Sequence, residues 1–231
     1  MSQEFGNELS VAAEDGHIEV VESLLEKHDP SADNNYAIRA ASDNGHIEVV
    51  RRLLADGRVD PSADNNYAIR FASANGHVEV VDLLLADDRV DPSTDNNYAF
   101  RFACQHGHIA IVRLLLDDDR VDPSVNNNQI VKIVSQSGHV DVLDLLLTET
   151  RLDPSVDNNY AIGVASEIGH IEVVRRLLAD GRVDPSADNN YALRFASRNG
   201  HVEVVELLLD YINHINLRVI SVIVIAHAAY I

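Results

Sequence analysis

Apolar residues in this chain follow the 3.6-residue spacing of amphipathic helices, and short polar stretches separate one such run from the next. In residues 64–94 the apolar positions of one run are Val78, Val81, Leu84 and Leu85. Intervals of three and four residues place these side chains on one face of a helix. The pattern therefore predicts a helix over about residues 78–86.

A shorter helix is predicted just before it, over residues 67–75. Asn66 stands at the N-cap position, where its side chain is expected to accept hydrogen bonds from the first-turn N–H groups. Gly76 follows the last helical residue, and a glycine there is typical of a left-handed helix end. Further on, Pro92 cannot continue a helix because it lacks the backbone N–H. Each unit is thus expected to contain a first helix, a tight turn, a second helix and a loop.

The same pattern returns with a fixed period, which Gly-His pairs mark. The first step between pairs is 29 residues and the other five are 31. The pairs begin at Gly16, Gly45, Gly76, Gly107, Gly138, Gly169 and Gly200. Residues 46–68 are identical to residues 170–192, so the array grew by duplication of its own units. Internal repetition at such a period is the signature of a repeat architecture.

We therefore assign one repeat domain to residues 1–231. The repeats span about residues 4–32, 33–63, 64–94, 95–125, 126–156, 157–187 and 188–210, and residues 211–231 form an apolar end segment. Helices of about ten residues are marginal alone in water. Stacking of neighbours must supply the stability, by burying residues such as Phe71, Ala72, Leu84 and Leu85. The expected fold class is an all-α solenoid of helix-turn-helix units.

Three short motifs resemble the ankyrin repeat: Ala72-Ser73, then Asn75-Gly76-His77, then Val-Glu-Val-Val-Asp-Leu-Leu-Leu over residues 78–85. The resemblance covers about residues 7–210. It implies a curved solenoid whose first helices and loop tips form a concave, protein-binding face. The 31-residue variant is similar to arrays encoded by large DNA viruses of protists and by some single-celled eukaryotes.

Two departures from the ankyrin pattern recur in the repeats. Tyr-Ala-Ile-Arg at residues 67–70 replaces the family's Thr-Pro-Leu-His. The loop between units is also two residues shorter than the loop of the 33-residue ankyrin repeat. Tips blunter than the usual β-hairpin fingers are therefore expected.

Charge and composition narrow the choice of partners. The chain has 18 Lys and Arg against 37 Asp and Glu, a formal charge of −19, so its field repels nucleic-acid phosphates and anionic lipids. The longest uncharged stretch follows Arg218 and is shorter than the ~20 residues that span a bilayer. Neither nucleic acid nor membrane is an expected partner. A single cysteine and no recognisable leader at residues 1–10 favour the cytoplasm or nucleus, of a host cell if the protein is viral.

No residue is assigned a catalytic, cofactor-binding or metal-binding role, and no enzyme activity is expected. Equivalent histidines of stacked helices lie ~8–10 Å apart, too far to share a zinc ion at ~2.1 Å, so we favour histidines that bond backbone between units. Cys104 stands where other repeats have serine, which indicates a small buried packing residue. His106 lies two positions after Cys104, and residues two apart on a helix face different directions, so His106 is not placed to act as a base for this thiol.

Two interpretations of a basic column stay open. The column consists of Arg39, Arg70, Arg101, Lys132 and Arg194, with Gly163 interrupting it in repeat six. A tyrosine column, interrupted by Gln129, runs beside it. The arginines, Arg70 and Arg101 among them, either grip an acidic ligand or close onto turn aspartates such as Asp64 and Asp95. We favour the second, because the Arg and Asp columns repeat together whereas ligand-reading positions vary.

Positions that vary between repeats are the better candidates for partner specificity. The two residues before each Gly-His differ, and the resemblance places them on the concave face. The candidates in repeats four to six are Gln105, His106, Gln129, Lys132, Gln136, Ser137, Glu167 and Ile168. Drift in a redundant array is the alternative explanation.

The expected function is a non-enzymatic scaffold that binds a partner protein of unknown identity. A substrate-recruiting subunit of a ubiquitin-ligase or host-modulating complex is the alternative, although the adaptor-binding motif that it normally needs is not recognisable here.

Unusual segments lie in repeat five and at both ends. The first helix of repeat five, residues 129–137, carries four β-branched residues and is expected to open early. Repeat one is short and acidic and is interpreted as a cap. Residues 217–231 are apolar and β-branched, and either pack as a terminal cap or mediate self-association. A monomer is expected in the first case.

Overall fold

The computed structural model describes residues 8–214, except the side chains of residues 126–128. Within that range the chain is helical and contains no strand, which confirms the predicted all-α class. The helices are α1 (Glu8–Glu14), α2 (Ile18–Leu25), α3 (Ala32–Asp43), α4 (Ile47–Leu54), α5 (Ala63–Asn75), α6 (Val78–Leu85), α7 (Thr94–His106), α8 (Ile109–Leu116), α9 (Val125–Ser137), α10 (Val140–Thr148), α11 (Val156–Ile168), α12 (Ile171–Ala179), α13 (Ala187–Asn199) and α14 (residues 202–214). Odd-numbered helices are the first helices of the repeats.

The chain divides into two compact units, with the boundary along the sequence between Val125 and Asn126. This is also the predicted boundary between repeats four and five. In the first unit α3 packs against α1 and α5, and α5 against α7, while the second helices contact one another in a row, α2 to α4 to α6 to α8. In the second unit α11 packs against α13, and α10 against α12. In these pairs a first helix contacts the next first helix of its own unit, as expected for stacked repeats.

The buried face of the second helix differs in register from the one predicted. In α6 the fully buried side chains are Val80, Val81 and Leu84, whereas Leu85 is half-buried. The reason is that a second helix packs against its own first helix and against second helices beside it, which widens and rotates its apolar stripe. Ala72 is buried as expected, but Phe71 is half-buried.

The Gly-His pair joins consecutive repeats. Gly76 adopts the predicted left-handed conformation, with φ 85°. Gly169 is left-handed too, and a Cβ built on it would lie 2.6 Å from Nδ1 of His201 in the next repeat. Real Cβ atoms do not approach a ring so closely, so glycine is required both by backbone conformation and by the neighbouring imidazole.

The histidine rings bond backbone between repeats, which confirms the structural role predicted for them. The Nε2 atom of His201 donates to the carbonyl of Glu167 at 3.0 Å. The same bond joins His46 to Glu14 (2.8 Å), His77 to Asp43 (2.9 Å), His108 to Ala74 (3.0 Å) and His170 to Gln136 (3.1 Å). A carbonyl only accepts, so Nε2 carries the proton in each case.

A left-handed turn precedes the regular part of most first helices. Asp64, Asn65 and Asn66 have φ of 55°, 61° and 57°, so regular helix begins at Tyr67, as predicted. Asp and Asn tolerate this region better than other residues with a Cβ. The N-cap role predicted for Asn66 is wrong. Its Oδ1 accepts a bond from the backbone N–H of Asp91 at 2.8 Å, because the left-handed turn directs the amide toward the next repeat.

The loops between repeats are short turns. In the Asp-Pro-Ser turn of repeat three, the N–H and hydroxyl of Ser93 donate to Oδ1 of Asp91 at 2.9 and 2.6 Å. These bonds lower the pKa of the Asp91 carboxyl, the hydroxyl contributing most. Residues 215–231, which include the apolar segment 217–231, lie outside the described residues, so its two interpretations stay open. The capping role of repeat one also stays a prediction.

Candidate functional site

The arginine column lies against the left-handed turns. Arg39 makes the fullest set of contacts: its Nε donates to the Asn34 carbonyl at 3.0 Å and its Nη2 to the Asp33 carbonyl at 3.1 Å. Its Nη1 forms an ion pair with the Asp64 carboxylate of the next repeat, at 2.8 Å. One guanidinium thus joins the turn of its own repeat to the turn of the following one.

The other arginines make part of the same set. Nη1 of Arg70 donates to the Asn65 carbonyl at 3.1 Å. Arg101 donates to the carbonyls of Asn96 and Asp95, at 2.9 and 3.2 Å. The favoured interpretation is therefore confirmed for Arg39 and Asp64, while the contact with Asp95 uses its backbone carbonyl and not the carboxylate.

Tyrosine rings lie under the basic side chains. The guanidinium carbon of Arg39 is 5.2 Å from the ring centroid of Tyr67, and that of Arg70 is 4.6 Å from the ring centroid of Tyr98. The Lys132 ammonium is 4.3 Å from the ring centroid of Tyr160. Each cation thus covers the tyrosine of the next repeat, at a distance where cation–π attraction is effective.

The first of the two variable positions before Gly-His also contacts this column. The hydroxyl of Tyr67 donates to Asp43 at 3.1 Å, and that of Tyr191 donates to Glu167 at 2.8 Å. Burial and the bond to Glu167 together raise the pKa of Tyr191 to about 12. Glu167 therefore has a role inside the stack. The sequence carried only a partial signal for it: an acid stands at this position before Tyr36, Tyr67 and Tyr191, but Ala74 and Gln136 stand there before Tyr98 and Tyr160.

Several predicted partner-binding residues are exposed, and they fall in two groups. In the first unit Gln105 and His106 are exposed at the end of α7. In the second unit Gln129 and Gln136 are exposed on α9, and Ile168 is 41% exposed at the end of α11. Lys132 and Ser137 are half-buried. The bond from His170 to the Gln136 carbonyl holds the ends of α9 and α11 side by side.

Within the described residues, the side chains that could serve catalysis or bind a metal ion are not brought together. Cys104 is fully buried, and burial raises the pKa of its thiol well above the ordinary value, which disfavours the reactive thiolate. Across residues 8–214, His, Cys, Asp and Glu side chains form no group of three or more that could hold a metal ion. Every helix in that range is too short or too polar to cross a lipid bilayer.

Sequence analysis missed a second arginine column, in the loops. Nε and Nη2 of Arg89 form a bidentate pair with the Asp87 carboxylate, at 2.9 and 2.6 Å, while Nη1 donates to the Val59 carbonyl of the preceding repeat at 2.8 Å. Pairs of the same kind join Arg58 to Asp56, Arg120 to Asp118 and Arg182 to Asp180. The signal was an aspartate two residues before the Arg-Val-Asp-Pro segment in these four loops.

Repeated helix pairs, bonded to each other through fixed side-chain columns and differing at a few exposed positions, define a class of helical repeat protein. The family described as ankyrin repeats (3 copies) matches residues 9–96 and 132–219, and the single ankyrin repeat matches residues 95–128. The chain therefore belongs to the ankyrin-repeat family. A search of curated proteins finds no match.

Proposed function

We propose that this chain is a non-enzymatic scaffold that binds a partner protein through the exposed ends of its first helices. Ankyrin repeats are generally protein–protein interaction modules. The observation that supports this surface is a contrast between the residues that recur from repeat to repeat and the exposed residues that vary between repeats. Histidines and arginines that repeat are engaged in bonds within the stack, whereas His106 and Ile168 differ from their equivalents in the other repeats and are exposed.

The proposed surface has two parts, one in each compact unit. Gln105 and His106 form the part in the first unit. Gln129, Lys132, Gln136, Ser137 and Ile168 form the part in the second, with Ile168 as the apolar anchor, since apolar contacts at the centre of an interface contribute most of the binding energy. Arg70 and Arg101 would flank the first part. Glu167 is the weakest candidate because Tyr191 already engages its carboxylate.

Affinity capture from a lysate of the source organism tests the proposal. Ile168→Asp is expected to reduce recovery of the partner about tenfold or more, because it places a charge at the centre of the interface. Val20→Asp is the matched control, since Val20 is 45% exposed on a second helix, and it should leave capture unchanged. Unchanged capture by both Ile168→Asp and Gln105→Ala/His106→Ala would contradict the proposal. Recovery of a ubiquitin-ligase adaptor with the partner would favour the substrate-recruiting alternative.

A further inference from the structure

Repeat six lacks the basic residue that lies between left-handed turns in other repeats. Gly163 occupies the position that Arg39 holds in repeat two, four periods earlier. The groups that Arg39 contacts all have counterparts around Gly163. These are the carbonyls of Asp157 and Asn158, the carboxylate of Asp188, and the rings of Tyr160 and Tyr191, which correspond to Asp33, Asn34, Asp64, Tyr36 and Tyr67.

A cavity of ≈ 190 Å³ lies at this position, within the second unit. Asp157, Asn158, Tyr160, Gly163, Asp188 and Tyr191 are among the residues that line it. Its volume is several times the ~30 Å³ that one water occupies in the liquid. The cavity, here called the Gly163 cavity, is thus bounded by all five counterparts of the Arg39 contacts.

The lining favours a planar cation. Carbonyl oxygens of a left-handed turn and a carboxylate are acceptors, and a guanidinium has donors in a fixed fork that reaches several acceptors at once. An aromatic face supplies a further attraction. Lys132 covers Tyr160, but within the described residues no Lys or Arg side chain lies over the Tyr191 ring as Arg39 lies over that of Tyr67. An ammonium would satisfy fewer of these acceptors.

We propose that the Gly163 cavity binds the guanidinium group of an arginine side chain supplied by the partner protein. The incoming group would take the position of the missing column residue, donating to the Asp157 and Asn158 carbonyls and pairing with Asp188. The net charge of −19 favours a cationic segment at this surface. The source of the arginine rests on the proposed function, whereas the chemistry of the cavity does not.

Titration of the full chain with methylguanidinium, followed by NMR of the tyrosine rings, tests the cavity without a partner. Saturable binding in about the millimolar range is expected, with Tyr191 the ring most affected. Gly163→Arg should remove this binding, because the new side chain enters the cavity and its Cβ, which would lie 2.7 Å from Cδ1 of Tyr191, displaces that ring. Asp188→Asn should weaken binding about tenfold while retaining the turn, since asparagine tolerates the left-handed region.

A gain-of-function variant is the matched control. Arg39→Gly recreates the same cavity in repeat two, between the same five kinds of groups, and should add a second methylguanidinium site. Absence of saturable binding to the wild type, or equal binding to Gly163→Arg, would overturn the proposal. Failure of Arg39→Gly to gain a site would also count against it, provided that the variant unfolds cooperatively.

Short peptides separate the sources of the cation. A peptide containing arginine should bind at least about tenfold more tightly than free arginine, because flanking residues add contacts, and more tightly than its lysine counterpart. Tighter binding of free arginine would assign the cavity to a small molecule and overturn the protein source. Ile168→Asp should leave methylguanidinium binding unchanged, because Ile168 does not line the cavity, so loss of the partner surface and loss of the cavity are measured independently.

Discussion

The Nε2 atom of His77 lies 2.9 Å from the carbonyl oxygen of Asp43, the last residue of the first helix of the preceding repeat. Helix ends leave carbonyls without intrahelical partners, and this bond satisfies one of them. The same bond is made by His46, His108, His170 and His201, so these histidines bond their repeats to the preceding ones.

His77→Ala is expected to lower the free energy of unfolding by about 1–3 kcal/mol, since it leaves a helix-end carbonyl unpaired and removes a ring from the junction. Urea unfolding at neutral pH measures the change. His106→Ala is the control, because His106 is exposed on the surface, and should change the value by less than about 0.5 kcal/mol. Equal midpoints for His77→Ala and the wild type would show that the bond contributes nothing.

Local spacing predicted the elements of this fold but not the contacts of its loops. The left-handed glycines, the helices and the histidine bonds follow from short sequence patterns that carry their own physical reason. The left-handed Asp-Asn-Asn turn has no comparable signal, because asparagine before a helix is also a good N-cap. The N-cap prediction for Asn66 fails for that reason, since the direction of its amide depends on three successive positive φ angles.

The candidate binding surface could also be predicted from the sequence only in part. Exposure of Ile168 could be expected from an apolar residue at a variable, polar position, and the structure confirms it. Engagement of Glu167 by Tyr191 depends on a side chain of the next repeat, and so does the cavity at Gly163. Such contacts join residues more than twenty positions apart, and the sequence alone does not show which of these residues lie side by side.

Charge reversal of the arginine column tests whether it serves the stack. Arg70→Glu is expected to lower the free energy of unfolding by about 1–2 kcal/mol, because it removes the bond to the Asn65 carbonyl and the contact with the Tyr98 ring. Arg113→Glu makes the same charge change on the exposed side of α8 and should cost less. If both variants melt alike, the column would be available for an acidic ligand after all.

The loop ion pairs make stability depend on pH in the acid range. The bond from Arg58 lowers the pKa of Asp56 from 3.8 to about 2. A carboxyl whose pKa is lower in the folded protein contributes stability above its unfolded pKa and loses it as the pH falls through the folded value. The wild type should therefore lose stability between about pH 4 and pH 2.

Asp56→Asn should reduce this pH dependence by on the order of 1 kcal/mol, less than the full 1.4 kcal/mol per pKa unit because the loop is near solvent. Chemical unfolding at several pH values measures the slope. Asp88→Asn, at an exposed loop position of the next repeat, is the control and should leave the slope nearly unchanged. A slope identical in Asp56→Asn and the wild type would contradict the contribution of this pair.

Repeat five is where the array should open first. Its first helix, α9, carries Ile130, Val131, Ile133 and Val134, and β-branched residues lose side-chain freedom in a helix. The division of the chain into two compact units also falls at the beginning of this helix, after Val125. Stability in a stacked array is a sum of neighbour contacts, so a weak helix at the boundary between units lowers the cost of local opening.

Amides of residues 129–137 should exchange about tenfold faster than those of residues 67–75, and Ile133→Leu should slow them, because leucine is the better helix former. Equal protection of the two segments would mean that stacking in repeat five compensates for its composition.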